Sequence, residues 1–357
     1  MGIFSRKPEA SFASAPIKAA AGSSFVNSFL NYTTGSDEVK ALSIPTISRS
    51  RDLIAGLIGA LELKHYTKVW NSIEEKYEEV YLPLEPWQER PDPKVTRSFF
   101  FVNIFSDLYF RGIAYAYITS RYSDGRPASF TWLPAANIMT SDQAGTPQYY
   151  GPSKQLSFNG SPLDVNNVVQ FISPIEGILT IGAQAINTAI YLNNAADRYA
   201  KLESTPGYLQ QVEGEDLSGD DLGELASAWA AARKNNAIGA LSRQVVFKEF
   251  QTSPAEIVGD QRKYQSLEIS RLCNVPAYLV SAPTQGASMT YQNAQQARQD
   301  LYLFGARIYL DVIEQTLSSP EICGPNRYVE FDIEDYIGLD DEDMQIMDTT
   351  ITERQSA

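Results

Sequence analysis

Two helical stretches of matched length, Ala183 to Leu202 and Ala255 to Asn274, bracket a short unit of mixed character. At about 1.5 Å per residue each spans roughly 30 Å. The residues between them read as a strand around Tyr208 to Val212, an acidic turn, a helix and a second strand at Gln244 to Phe250. The inner helix has a start signal, Ser218-Gly-Asp-Asp221, ahead of Leu222, Leu225, Ala226 and Trp229. A compact αβ insert flanked by equal helices is a severe constraint, and the rest of the chain must supply the body that carries it.

That body reads as α+β. From Pro45, Ile47, Leu53, Ile54, Leu57, Ile58 and Leu61 recur at helical spacing, with Thr46 as a candidate cap. A second apolar-faced helix covers Ser98 to Phe110 through Phe99, Val102, Phe105, Leu108 and Tyr109. Ile113 to Ser120, Ser129 to Leu133 and Val168 to Phe171 are β-rich, and Asp124-Gly-Arg-Pro127 and Phe158-Asn-Gly-Ser161 carry tight-turn chemistry. Val275-Pro276 stops the second matched helix. The longest helix, about Tyr291 to Ser318, follows, with a seam of Ala294, Ala297, Leu301, Phe304, Ile308 and Val312. Arg327 to Ile333 then alternates as a half-buried strand.

Composition removes most chemistry. A net charge of −14 disfavours tight, sequence-independent DNA binding. One histidine, His65, in a strand-like run, excludes every mechanism needing a histidine pair and is expected to be structural. Two cysteines fifty positions apart, Cys273 and Cys323, give neither a disulfide framework nor a zinc ribbon, and a reducing compartment is the default. The longest apolar run, Leu53 to Leu61, is far short of the roughly 20 residues a bilayer span needs, so no membrane partner is expected. Lys18 interrupts the only stretch resembling a signal core, and Arg6 stands where a myristoylation signal wants Ser or Thr. Residues 1–40 read as a flexible arm.

No phosphate-binding glycine loop, dinucleotide fingerprint or nucleophile elbow is present. Acidic residues crowd two places. Asp332, Glu334, Asp335 and Asp340-Asp-Glu-Asp343 belong to an intensely acidic end that reads as a solvated tail; its alternative is a carboxylate-dependent enzyme, such as a metal-dependent nuclease or a glycosidase. In the insert, Glu213, Glu215, Asp216, Asp220, Asp221 and Glu224 have no basic residue among them. The helix dipole accounts for Asp220 and Asp221 but not for the three before them, which points to a partner-facing surface. The segment Ser281 to Thr290 is small, neutral and glycine-bearing in a highly charged protein, which suits contact with something that slides past.

Six further stretches carry a resemblance. Glu89-Arg-Pro-Asp-Pro-Lys-Val-Thr96 precedes an apolar helix, Gly112-Ile-Ala-Tyr-Ala-Tyr-Ile118 follows it, and Asp124-Gly-Arg-Pro127 leads to Leu133-Pro134. Gly177 and Gly182 open a helix, Glu268-Ile-Ser-Arg-Leu-Cys-Asn-Val-Pro276 ends one, and Met289-Thr-Tyr-Gln-Asn-Ala-Gln295 opens the longest. In this order, over about 45–320, they resemble the portal proteins of long-tailed bacteriophages. Departures are Ile113, where asparagine is common in the family, and a C-terminus too short for a large crown.

The resemblance implies an α+β portal fold and a ring, usually of twelve subunits, at one capsid vertex. The parts would be a flexible arm (1–40), wing (41–182), stem helix (183–204), clip (205–252), second stem helix (253–276), tunnel loop (277–290), wing again (291–333) and an acidic tail or reduced crown (334–357). Thr284, Gln285, Gly286, Ser288 and Thr290 would then face double-stranded DNA in the channel, and the acidic cluster of the clip would meet the large terminase and head-completion or adaptor proteins. Major capsid and scaffolding proteins are further implied partners. Such a protein works without a cofactor and without catalysis of its own, in the virion and, during assembly, in the host cytoplasm.

Overall fold

The computed structural model describes residues 36–142, 151–200, 207–212, 218–234, 245–249, 254–280 and 291–337. The chain runs α1 (Ser36–Leu42), α2 (Pro45–Ala60), β1 (Leu63–Asn71), β2 (Lys76–Leu82), α3 (Pro86–Glu89) and α4 (Arg97–Arg111). It continues through β3 (Ile113–Arg121), β4 (Pro127–Leu133), β5 (Ile138–Thr140), β6 (Leu156–Phe158), β7 (Ser161–Leu163) and β8 (Val168–Ile172). Then come α5 (Ile178–Ile181), α6 (Ala183–Ala200), β9 (Gly207–Gln211), α7 (Gly219–Lys234), β10 (Val245–Glu249) and α8 (Pro254–Leu272). Last are α9 (Tyr291–Asp300), a π-helical turn (Leu301–Ala306), α10 (Arg307–Leu317), β11 (Tyr328–Phe331) and α11 (Glu334–Ile337).

The strands form small antiparallel sheets ordered β11-β1-β2, β4-β3-β8, β5-β6-β7 and β10-β9. Helix α4 is the hub of the body. Thr96 caps it, its hydroxyl accepting from the Phe99 N–H at 3.2 Å, and Phe100, Phe101, Ile104, Phe105, Leu108, Tyr109 and Phe110 are all buried. So much of its circumference is covered because α2, the β4-β3-β8 sheet and α10 all pack on it. The expected stripe was narrower: Phe99 lies at the margin, its ring 6.2 Å from Trp132, and Val102 is half-buried. Both turns expected from sequence are present, with Asn159 and Gly160 at φ 50° and 81° between β6 and β7, and Gly125 at φ 88° between β3 and β4.

Four sequence expectations are corrected. Thr46 does not cap α2; Ile44 is the cap residue, Pro45 takes the first helical position, and the buried Thr46 hydroxyl meets Ser266 Oγ at 3.1 Å. The presumed arm ends earlier than residue 40, because α1 packs on the body with Ala41 and Glu38 buried. Glu334 is not solvated chain: Lys64 Nζ lies 2.8 Å from it and 3.1 Å from Asp332, and α11 packs on α9 with Ile337 buried. Phe304 leaves the seam and is 60% exposed. The π-helical turn adds a residue to one helical turn, which turns Phe304 outward, leaves Ile308 half-buried and brings Gly305, Ala306, Tyr309, Leu310 and Ile313 into the core beside Val312, which stays buried as expected.

Burial also sets the ionisation of three carboxyls. It pushes Glu38 up to about 8, helped by nearby Asp107 and opposed by Arg111 and Arg51. It pushes Asp107 up to about 7, although the Ala135 N–H and Trp132 Nε1 both donate to it. It pushes Glu314 up to about 7, against a hydrogen bond from the Phe331 N–H at 2.8 Å.

Candidate functional site

The paired helices α6 and α8 pack along each other. Ile186 and Ala189 on α6 are buried, as is Ile269 on α8, and Gln265 Nε2 donates to the Ala185 carbonyl at 3.0 Å. Their root is tight because Gly182, just before α6, has no side chain: a Cβ there would collide with Leu272 Cδ2. Gly177 allows a similar approach, since a Cβ would meet the Phe110 carbonyl and the Arg111 backbone. Helix α8 ends at Leu272, and Ser270 Oγ, donating to the Val275 carbonyl at 3.0 Å, secures the chain where Pro276 forbids continuation.

The two helices present different surfaces. Helix α6 exposes Gln184, Asn187, Thr188, Tyr191 and Asn194, with Asp197 and Arg198 its only charges. Helix α8 carries both signs, including Lys263–Asp260 at 3.1 Å and Arg271–Glu268 at 2.8 Å.

Between them, β9 and β10 pair antiparallel from Gly207↔Glu249 to Gln211↔Val245. The expected cap of α7 is present and reciprocal: Ser218 Oγ and N–H donate to Asp221 Oδ2 at 2.7 and 3.3 Å, and the Asp221 N–H donates to Ser218 Oγ at 3.3 Å. Asp221 is therefore occupied by the cap, whereas Asp220 and Glu224 stand exposed on the same helix. Glu213, Glu215 and Asp216 lie outside the described residues. Trp229 is half-buried, less than a residue anchoring this helix to the strands would be.

Thr284, Gln285, Gly286, Ser288 and Thr290 also lie outside the described residues, but both flanks of their segment are described. Tyr278 Oη donates to Asp300 Oδ2 at 2.8 Å and joins the turn after α8 to the end of α9. Partial burial and this bond push the phenol up to about 12. Composition gave no sign of this neck, because a tyrosine and an aspartate 22 positions apart carry no periodic signal. The Thr46–Ser266 link escaped notice for the same reason.

Among the described residues, no group of three or more His, Cys, Asp and Glu side chains converges where a metal ion could be held, and no helix is long and apolar enough to cross a membrane. His65 is buried in β1, deeper than the surface or half-buried position its strand-like run suggested, with Nδ1 3.0 Å from the Pro83 carbonyl.

An α+β body from which two paired helices lead to a small αβ unit is the portal architecture. The chain belongs to the phage portal protein family, whose sequence profile it matches over residues 45–352. The HK97-family phage portal protein from Corynebacterium diphtheriae superposes with a TM-score of 0.63 at 21% identity, covering 86% of this chain and 98% of that one. A chain in the virion of a native gene transfer agent particle gives 0.56 at 14% identity, covering 91% and 90%. A chain in the neck of the native particle, computed with C12 symmetry, gives 0.54 at 15%, covering 92% and 88%. No protein of curated function matches the sequence.

Proposed function

We propose that this chain assembles head-to-tail into a closed ring, of twelve subunits, that stands at one capsid vertex as the channel for double-stranded DNA during packaging and ejection. The observation that carries the reading is the helix pair α6–α8, rooted on the body at Gly182 and Leu272 and leading to the β9–α7–β10 unit. A ring of such pairs is a tube with a distal platform. The exposed face of α6, uncharged from Ala183 to Asn194, suits a wall past which phosphates slide, because fixed cations would trap a polyanion in a salt-dependent way. The likeness to a neck chain described with C12 symmetry supports the ring.

In this reading the segment 281–290, tied at its neck by Tyr278 and Asp300, is the tunnel loop, and 205–252 is the clip that receives the large terminase and later the head-completion or adaptor proteins. Capsid and scaffolding proteins would surround the wing. The chain acts as conduit and platform, not as catalyst, and the energy for packaging comes from the terminase. Native mass spectrometry over a range of salt and protein concentrations tests the ring. A single closed assembly is expected, and monomer under every condition overturns the reading. Packaging with the cognate terminase and empty capsids then tests the channel: rings should support DNA entry, and DNA entry that needs no portal overturns it.

A further inference from the structure

The β1–β2 hairpin holds an isoleucine almost wholly in water. Ile73, at the turn, is 92% exposed, with Tyr77 65% and Trp70 51% exposed below it. Scattered exposed apolar residues are ordinary, but this one is held in place. Asn71 Oδ1 accepts from the N–H groups of Ile73 at 2.8 Å and Glu74 at 3.4 Å. Lys76 pairs with Glu74 at 2.7 Å, and the Trp70 and Tyr77 rings meet edge to face at 5.0 Å. Pairing with β11 ends at Tyr66, so the outer hairpin is two strands alone, an element marginally stable in water unless something covers it.

A receptor of matching chemistry exists elsewhere on the same chain. At the root of the helix pair is an open groove of about 370 Å³ with apolar walls that include Ile44, Pro45, Leu192 and Ile269, flanked by Arg262 and Lys263. The hairpin turn carries Glu74 and Glu75 beside Ile73. Among the described residues, neither Glu75 nor Arg262 has an ion-pair partner. An apolar tip with acidic shoulders and an apolar groove with basic shoulders, built from different elements of one chain, can form a heterologous pair between copies. Such pairs close into rings when the rotation permits.

We infer that the Ile73 turn of one subunit seats in the Pro45–Leu192 groove of the next, with Glu75 against Arg262. The inference rests on the ring reading and adds which surfaces meet. A preorganised turn loses little freedom on docking, which favours this contact as an anchor.

The test is a cysteine pair in the full-length chain, Ile73→Cys with Leu192→Cys, oxidised with diamide; the native Cys273 and Cys323 are buried. A ladder of covalent multimers up to ring size, reversed by dithiothreitol and missing from each single variant, is expected. Wild-type rings without a ladder from the double variant overturn the docking and leave the ring standing. A wild-type chain that is always monomeric overturns both. In parallel, Glu75→Arg should lower ring yield severalfold and Arg262→Glu in the same chain should restore it. Normal rings from Ile73→Asp that fail to enter capsids would overturn the second copy as occupant in favour of another capsid component.

Discussion

Arg126 Nη1 donates to Glu85 Oε1 at 2.8 Å and fastens the β3–β4 turn to the segment between β2 and α3. The same nitrogen reaches the Cys323 carbonyl at 3.1 Å, its Nε donates to Asp124 at 2.7 Å, and Arg327 Nη1 joins Glu85 at 3.2 Å. The Asp124-Gly-Arg-Pro127 stretch is thus a clasp between distant parts of the body. Arg126→Ala should destabilise the fold by about 1–2 kcal/mol, below the 3–5 of a fully buried broken pair because both groups keep some solvent. Denaturant unfolding measures this, and ring formation by the folded fraction should persist.

The root of the helix pair tolerates no side chain. Gly182→Val should cost about 1–3 kcal/mol through overpacking against Leu272 and the Ile178 carbonyl, and Gly177→Ala more, since all its nearest obstacles are backbone. Limited proteolysis should find the helix pair of the Gly182 variant cut before the α+β body, and equal protection of both would refute the prediction.

Raised carboxyl values give a definite pH slope. Between the unfolded carboxyl range near pH 4 and native values of about 7 to 8, Glu38, Asp107 and Glu314 hold protons in the native state that the unfolded chain has released. Stability from these groups is therefore full at pH 4 and falls as pH rises to about 8, by at most about 1.4 kcal/mol per unit per group, then levels. Asp107→Asn keeps an acceptor for Trp132 and should flatten the slope. Unfolding free energies at pH 5, 6.5 and 8 for both proteins check it.

If residues 205–252 are the proposed clip, charge reversal at Asp216 and Asp220 should leave rings intact and weaken terminase-driven packaging. Asp221→Ala should instead lower the stability of α7 by about 1 kcal/mol through loss of the Ser218 cap. Trp229→Ala should cost less than the 3–5 kcal/mol of a buried tryptophan.

For the proposed tunnel loop, Gln285→Lys should assemble normally yet slow DNA translocation, most at low salt. Shortening by residues 283–286 should preserve rings and impair retention of packaged DNA. Wild-type rates and retention in both variants would leave the segment a simple connector.

Much of the fold was legible because it obeys periodic rules. The strands from Ile113, Ser129 and Val168, the Asn159-Gly160 turn and the Ser218 cap follow from alternation, turn chemistry and capping. What escaped was non-periodic. The π-helical turn that turns Phe304 out has no composition signature, and Thr46 looked like a cap until Pro45 took the first helical position. Glu334 read as tail because its partner, Lys64, is 270 residues away. At the candidate site, the exposed surface of α6 and the Tyr278–Asp300 link required the fold, because neither follows from a periodic signal.

The π-helical turn gives the longest helix two phases. Up to its first residue Ala297 and Leu301 are buried; beyond it the buried set is Tyr309, Leu310, Val312, Ile313 and Leu317, a series no single 3.6-residue repeat connects. Each half is thus indexed separately to its own surroundings. Deleting Phe304 would restore one continuous repeat and turn the Tyr291–Asp300 half by roughly 100° against the wing. Tyr278 would then lose its reach to Asp300, so one surplus residue sets the azimuth from which the longest helix meets the turn after α8.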